Sequence, residues 1–128
     1  IIPINRTIKM PNTLVIGASL NPERYSYKAI EMLRQHEHDV IAFGPKTGMV
    51  SGVSIENEWN NNWQVDTVTL YLNPQRQQGF YEKIIALQPR RVIFNPGTEN
   101  DLFNAQLQAA GIQTENACTL VLLSIGNY

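Results

Sequence analysis

One cysteine, Cys118, is all the sequence holds, so no internal disulfide can form and a reducing, cytoplasmic compartment suits the chain. An excess of charge is missing too. Ten basic residues face eleven acidic ones, for a formal net charge of -1. Such a balance sets up no basic field to recruit nucleic acid or an anionic membrane. No apolar run approaches the roughly 20 residues that a membrane-spanning helix needs. No Ser–His–acid set, Cys–His pair or metal-spaced cluster stands out, so no catalytic residue and no metal ligand is assigned. The two histidines, His36 and His38, close a predicted helix, where imidazole complements the helix dipole. Glycine is sparse where a G-x-G-x-x-G fingerprint would need it, since only Gly17 occupies the turn after the first predicted strand.

What remains fits one soluble α/β domain. The chain has 128 residues, 43% of them hydrophobic, ample for one core and short for two. Residues 1–9 lack the long apolar stretch of a signal peptide; either Met10-Pro11 is a natural start, or the residues before it form a short strand or a loose tail. We therefore expect an N-terminal extension over residues 1–10 and a single domain over 11–128. Strand patterns at 13–16, 40–43, 67–71, 92–94 and 112–114 alternate with helical patterns at 26–35, 74–87, 98–110 and 118–125. Thr98 and Asp101 resemble a capping box for the third of these helices. Val53-Ser54-Ile55 is either a small extra strand or an extended segment within a long irregular stretch, 44–62. Alternation of this kind predicts a five-stranded parallel sheet covered on both faces, in the order 3-2-1-4-5. That order reverses between strands one and four. It would set the Gly17 loop beside the Asn95-Pro96-Gly97 turn, at the carboxyl ends of the strands where such sheets bind ligands.

The Gly17 loop carries the most chemistry. A β-branched and apolar run stops at Gly17, Ala18 and Ser19 follow, and a helix begins near Ser26. This is how an α/β fold offers bare backbone N–H groups to phosphate. Ser19 supplies a hydroxyl, and Arg24 a planar cationic fork matched to phosphate oxygens. Lys46 follows the second strand in Phe43-Gly44-Pro45-Lys46, where an NAD site would want a carboxylate. A lysine there favours a phosphate-bearing ligand. Ordinary structural roles compete at each position: a solvated lysine, a surface Arg24 paired with Glu23, a Ser19 that caps its turn. Cys118 reads best as core, Glu99 as a first-turn acid, and Trp59 and Trp63 as anchors of an Asn-rich loop.

Gly17-Ala18-Ser19 with Pro22, Arg24 and Ser26, then Phe43-Gly44-Pro45-Lys46, Val65-Asp66-Thr67-Val68, Asn95-Pro96-Gly97-Thr98-Glu99-Asn100 and Cys118 together resemble the small stand-alone CoA-binding domain proteins. Their Rossmann-like, three-layer domain is similar to the CoA-binding domain of the succinyl-CoA synthetase alpha subunit. The resemblance runs from Met10 onward. It implies coenzyme A or an acyl-CoA as ligand, with the diphosphate at Gly17, Ala18, Ser19 and Arg24. It implies Lys46 at the 3′-phosphate or ribose, Asn73 and Pro74 beside the adenine, and Asn95, Pro96 and Gly97 beside the pantetheine arm. Two departures are present: Gly44-Pro45 stands where many relatives have Asn-Pro, and Asn95-Pro96-Gly97 where many have Gln-x-Gly. An NADP-dependent reductase on the same fold, and an interaction module docking a protein on Trp59 and Trp63, are the alternatives. The apolar segment 120–125 either buries itself or forms a homodimer contact.

Overall fold

The computed structural model describes residues 12–128, so the expected extension over residues 1–10 lies outside the described residues. Five strands of the sheet follow the predicted strand patterns: β1 (Asn12–Ile16), β2 (Asp39–Phe43), β5 (Thr67–Leu70), β6 (Arg91–Phe94) and β7 (Gln113–Asn116). Two more, β3 (Gly48–Val50) and β4 (Val53–Glu56), come from the stretch read as irregular. Among the described residues the sheet has seven strands in the order β3-β4-β2-β1-β5-β6-β7, and only the β3–β4 pair is antiparallel.

This corrects the expected five-stranded 3-2-1-4-5 sheet. Val53 and Ile55 are buried while Ser54 and Glu56 are exposed, the two-residue period of a half-covered strand. Burying those two side chains is worth about 4 kcal/mol, enough to carry this short segment onto the sheet. Ser51 (φ 49°) and Gly52 (φ 80°) make the left-handed two-residue turn that closes the β3–β4 hairpin. β4 takes the outer edge of β2, and β5 pairs with the free side of β1 through Thr13–Thr67 to Ile16–Leu70. The reversal of strand order therefore falls between β1 and β5, not between β1 and the Val92-containing strand.

Helices cover both faces. α1 (Tyr25–Gln35) and α5 (Thr119–Ser124) lie on one, where Ile30, Leu33 and Leu123 pack with Val15, Ala42, Val53 and Ile55. α3 (Tyr81–Leu87) and α4 (Asp101–Ala109) lie on the other, where Ile84, Phe103 and Leu107 pack with Leu14, Ile16, Val68, Leu70, Val92 and Phe94. The single helix expected from Pro74 is divided into α2 (Pro74–Gln77), a 3-10 turn at Gln78–Phe80, and α3. Gly79 in that turn is a poor helix former and loosens the run there. α4 is capped by Asn100, whose side chain accepts from Phe103 N–H, rather than by Thr98, whose hydroxyl is given to the Asn95 carbonyl. No helix runs between β4 and β5. In its place Trp59 and Trp63 lie edge to face, 5.0 Å apart, and meet Phe43 at 5.3 and 6.1 Å. Two large rings thus cover the face of β2 that a crossover helix would otherwise protect.

Candidate functional site

β1 ends at Gly17 with φ +94°, a conformation that costs an L side chain strain. A Cβ at Gly17 would sit 2.9 Å from the Tyr71 carbonyl oxygen. The loop after β1 therefore rests directly on the chain leaving β5. Its other neighbour is Gly44, where a Cβ would come 2.2 Å from the Ala18 carbonyl oxygen. Gly44, a departure from the family pattern, is required by this packing.

The N–H groups of Gly17 and Ala18 are not bare. Both donate to the Phe43 carbonyl, at 3.0 and 2.9 Å, and so close the end of β1 onto β2. The loop beyond them is knit from side chain to main chain. Asn21 N–H donates to Ser19 Oγ and Glu23 N–H to Asn21 Oδ1, each at 3.0 Å. Arg24 N–H donates to the Asn21 carbonyl at 3.0 Å. Ser19 thus accepts inside its own turn and keeps its hydroxyl proton to give. Arg24 stands at the N-cap of α1, no side chain among the described residues caps that helix, and its first turn has no acid. The positive end of the helix dipole thus meets no acidic side chain within that first turn. Arg24 and Lys46 are exposed, and neither side chain has an ion pair or hydrogen bond among the described residues. Lys46 follows β2 at this same end, two residues before Gly48, where a Cβ would meet Leu20 Cδ2 at 2.6 Å.

The other predicted residues divide between rim and interior. Asn73 caps α2, its Oδ1 accepting from Arg76 N–H at 2.9 Å, and half-buried Pro74 opens that helix. Asn95 is buried, and its side chain is spent inside the protein. Nδ2 donates to Thr69 Oγ1 at 2.6 Å and to the Leu70 carbonyl at 2.9 Å, while Oδ1 accepts from Thr119 N–H at 2.9 Å. Pro96 and Gly97 are exposed, and Gly97 N–H donates to Glu99 Oε1 at 2.9 Å. That carboxylate is fixed on its own turn, not on the first turn of α4. The immediate neighbour of the Gly17 loop is therefore the segment after β5, with the Asn95 turn one strand farther away. Sequence reasoning named Asn73 and Pro74 of this segment but set the strand before it at the sheet edge, away from the Gly17 loop.

Behind the rim lies a polar interior. Thr69 and Thr119 hydroxyls bond at 2.8 Å. The Tyr71 hydroxyl is buried beside them without a hydrogen-bond partner among the described residues, and burial pushes its pKa up to about 12. It stays protonated through the physiological range. Half-buried Cys118 precedes α5 and does not cap it. The tryptophans border a separate open groove of about 940 Å³ along the outer side of β2 and β4, lined also by Arg34, Asp39, Glu56, Glu58 and residues 60–62. Among the described residues no group of three or more His, Cys, Asp or Glu side chains could hold a metal. No helix among them is long and apolar enough to cross a membrane.

The loop–strand arrangement and the sequence agree with a known pattern, for a family model described as CoA binding domain matches residues 11–124. The chain belongs to the CoA-binding domain family. This CoA-binding domain is 47% identical to an uncharacterized protein of known crystal structure, with a TM-score of 0.89 over 94% of this chain and all (100%) of the other. A cell-free expressed protein from Thermus thermophilus shares the fold at 20% identity, TM-score 0.82, over 93% of this chain and 91% of its own. A hypothetical protein from Pyrococcus horikoshii OT3 does so at 24% identity, TM-score 0.77, over 85% and 78%. No curated protein matches the chain.

Proposed function

We propose that this domain binds coenzyme A or an acyl-CoA in the crevice between the segments leaving β1 and β5. Family membership supports a CoA-type ligand in general. The observation that carries the local reading is the β1 loop itself. It is held in consecutive turns, it opens onto an uncapped helix with no acid in its first turn, and its two nearest free cations, Arg24 and Lys46, have no internal partner among the described residues. A diphosphate would meet the Ser19 hydroxyl, the leading amides of α1 and the Arg24 guanidinium. Gly17 and Ala18 would act by shape, bringing the backbone close, because their N–H groups already serve Phe43. Lys46 would meet the 3′-phosphate. The adenine would lie by Asn73 and Pro74, and the pantetheine arm would pass the main chain of Pro96 and Gly97, with the Asn95 side chain supporting that turn from within. The role assigned is binding, with no reaction attached.

Calorimetric titration with CoA, run beside NADPH, tests this. Heat and a thermal shift with CoA, and a weaker response to NADPH, are expected. No heat and no shift at millimolar CoA overturns the reading, and tighter binding of NADPH transfers the site to the reductase alternative.

A further inference from the structure

Resting on that crevice reading, we infer that Arg76 is a second arginine for the ligand's diphosphate, opposite Arg24. The corrected strand order is what brings it there. β1 and β5 are hydrogen-bonded neighbours, and Tyr71 N–H donates to the Ile16 carbonyl at 2.9 Å. The chain beyond β1 turns to the face of Ile30 and Leu33, while the chain beyond β5 turns to the face of Ile84. Arg24 and Arg76 therefore stand on opposite sides of the point where the sheet reverses, the place where ligands enter such folds.

The segment bearing Arg76 is fixed. Asn73 Oδ1 holds Arg76 N–H, and the buried Gln77 side chain donates to the Leu72 and Thr98 carbonyls, each at 2.8 Å. Gln77 is thus turned into the protein while Arg76, one residue earlier, is exposed. The Arg76 guanidinium has no ion pair or hydrogen bond among the described residues, although Arg90 and Arg91 are both paired. A permanently charged fork left free on a clamped rim is suited to bidentate phosphate contact. Two arginines on one diphosphate would leave Lys46 to read the 3′-phosphate alone.

Affinities of wild type, Arg76→Gln and Lys46→Gln for CoA and for 3′-dephospho-CoA test the assignment. Arg76→Gln should weaken both ligands by the same factor, about ten- to a hundredfold, as expected for a charge-assisted bond. Lys46→Gln should weaken CoA and leave dephospho-CoA unchanged. Because Arg76 is exposed, an unaltered urea midpoint should accompany the loss. Unchanged affinity in Arg76→Gln, or a loss confined to CoA, overturns the role given to Arg76 while the crevice stands. Wild type that binds neither compound overturns the crevice reading itself.

Discussion

Asn95→Ala separates a structural asparagine from a ligand-binding one. The substitution removes three buried hydrogen bonds, to Thr69 Oγ1, the Leu70 carbonyl and Thr119 N–H. Each is worth about 1 kcal/mol net, and the partners lie too deep for water to replace the lost amide freely. The sum is about 3–4 kcal/mol, a sizeable part of the roughly 5–15 kcal/mol that holds a domain together. With a urea dependence of about 1.5 kcal/mol per molar, the midpoint should fall by about 2 M. Urea unfolding followed by tryptophan fluorescence reads this directly, and CoA affinity of the folded variant is the second arm. Asn95→Asp adds a check of sign. Its carboxylate would turn an acceptor toward the Leu70 carbonyl, so its deficit at neutral pH should exceed that of alanine and shrink as acid returns a donor proton. A loss below about 1 kcal/mol in Asn95→Ala, joined to a large drop in CoA affinity, would refute the reasoning and give the side chain to the ligand.

Two further outcomes follow from burial. Tyr71→Phe removes a hydroxyl that is enclosed without a partner among the described residues, so thermal unfolding should show no loss and a gain of up to about 1 kcal/mol; destabilisation of that size would mean the hydroxyl is bonded. His38 titrates below its ordinary 6.5 because it is partly buried and, to a smaller degree, because the charges of His36 and Arg91 oppose another proton, against a weaker pull from Asp39. The unfolded chain then binds the extra proton more readily, so this contribution is full above about pH 6.5 and is lost as the pH falls through the depressed value. Melting temperatures of wild type should drop from pH 7 to pH 5.5 relative to His38→Gln, and parallel curves for the two proteins would refute the assignment.

Much of the domain was legible without coordinates because its signals are local. Leu14-Val15-Ile16, Val40 to Phe43 and Val92 to Phe94 are continuous apolar runs, and a strand buried on both faces needs no other cue. The turn at Gly17 is likewise written in consecutive residues, and the family resemblance in short motifs whose order is read from Met10 onward. The β3–β4 hairpin had a local signal too, in Ser51-Gly52 between Val50 and Val53, but the surrounding Gly, Pro and Asn residues obscured it. Strand order was different in kind. Thr67 to Leu70 can pair with either open edge, and its own residues carry no preference. That choice was settled by Val53 and Ile55, which occupy the outer side of β2 and leave β5 only the side of β1. The tertiary structure likewise decided that the Gly17 and Ala18 amides belong to Phe43, that the Asn95 side chain faces inward, and that the chain leaving β5 lies against Gly17. Each of these depends on groups at least 24 residues apart in sequence. Periodicity reports which face of an element is buried; which neighbour lies against it is fixed by competition for sheet edges and buried hydrogen-bonding groups across the whole chain.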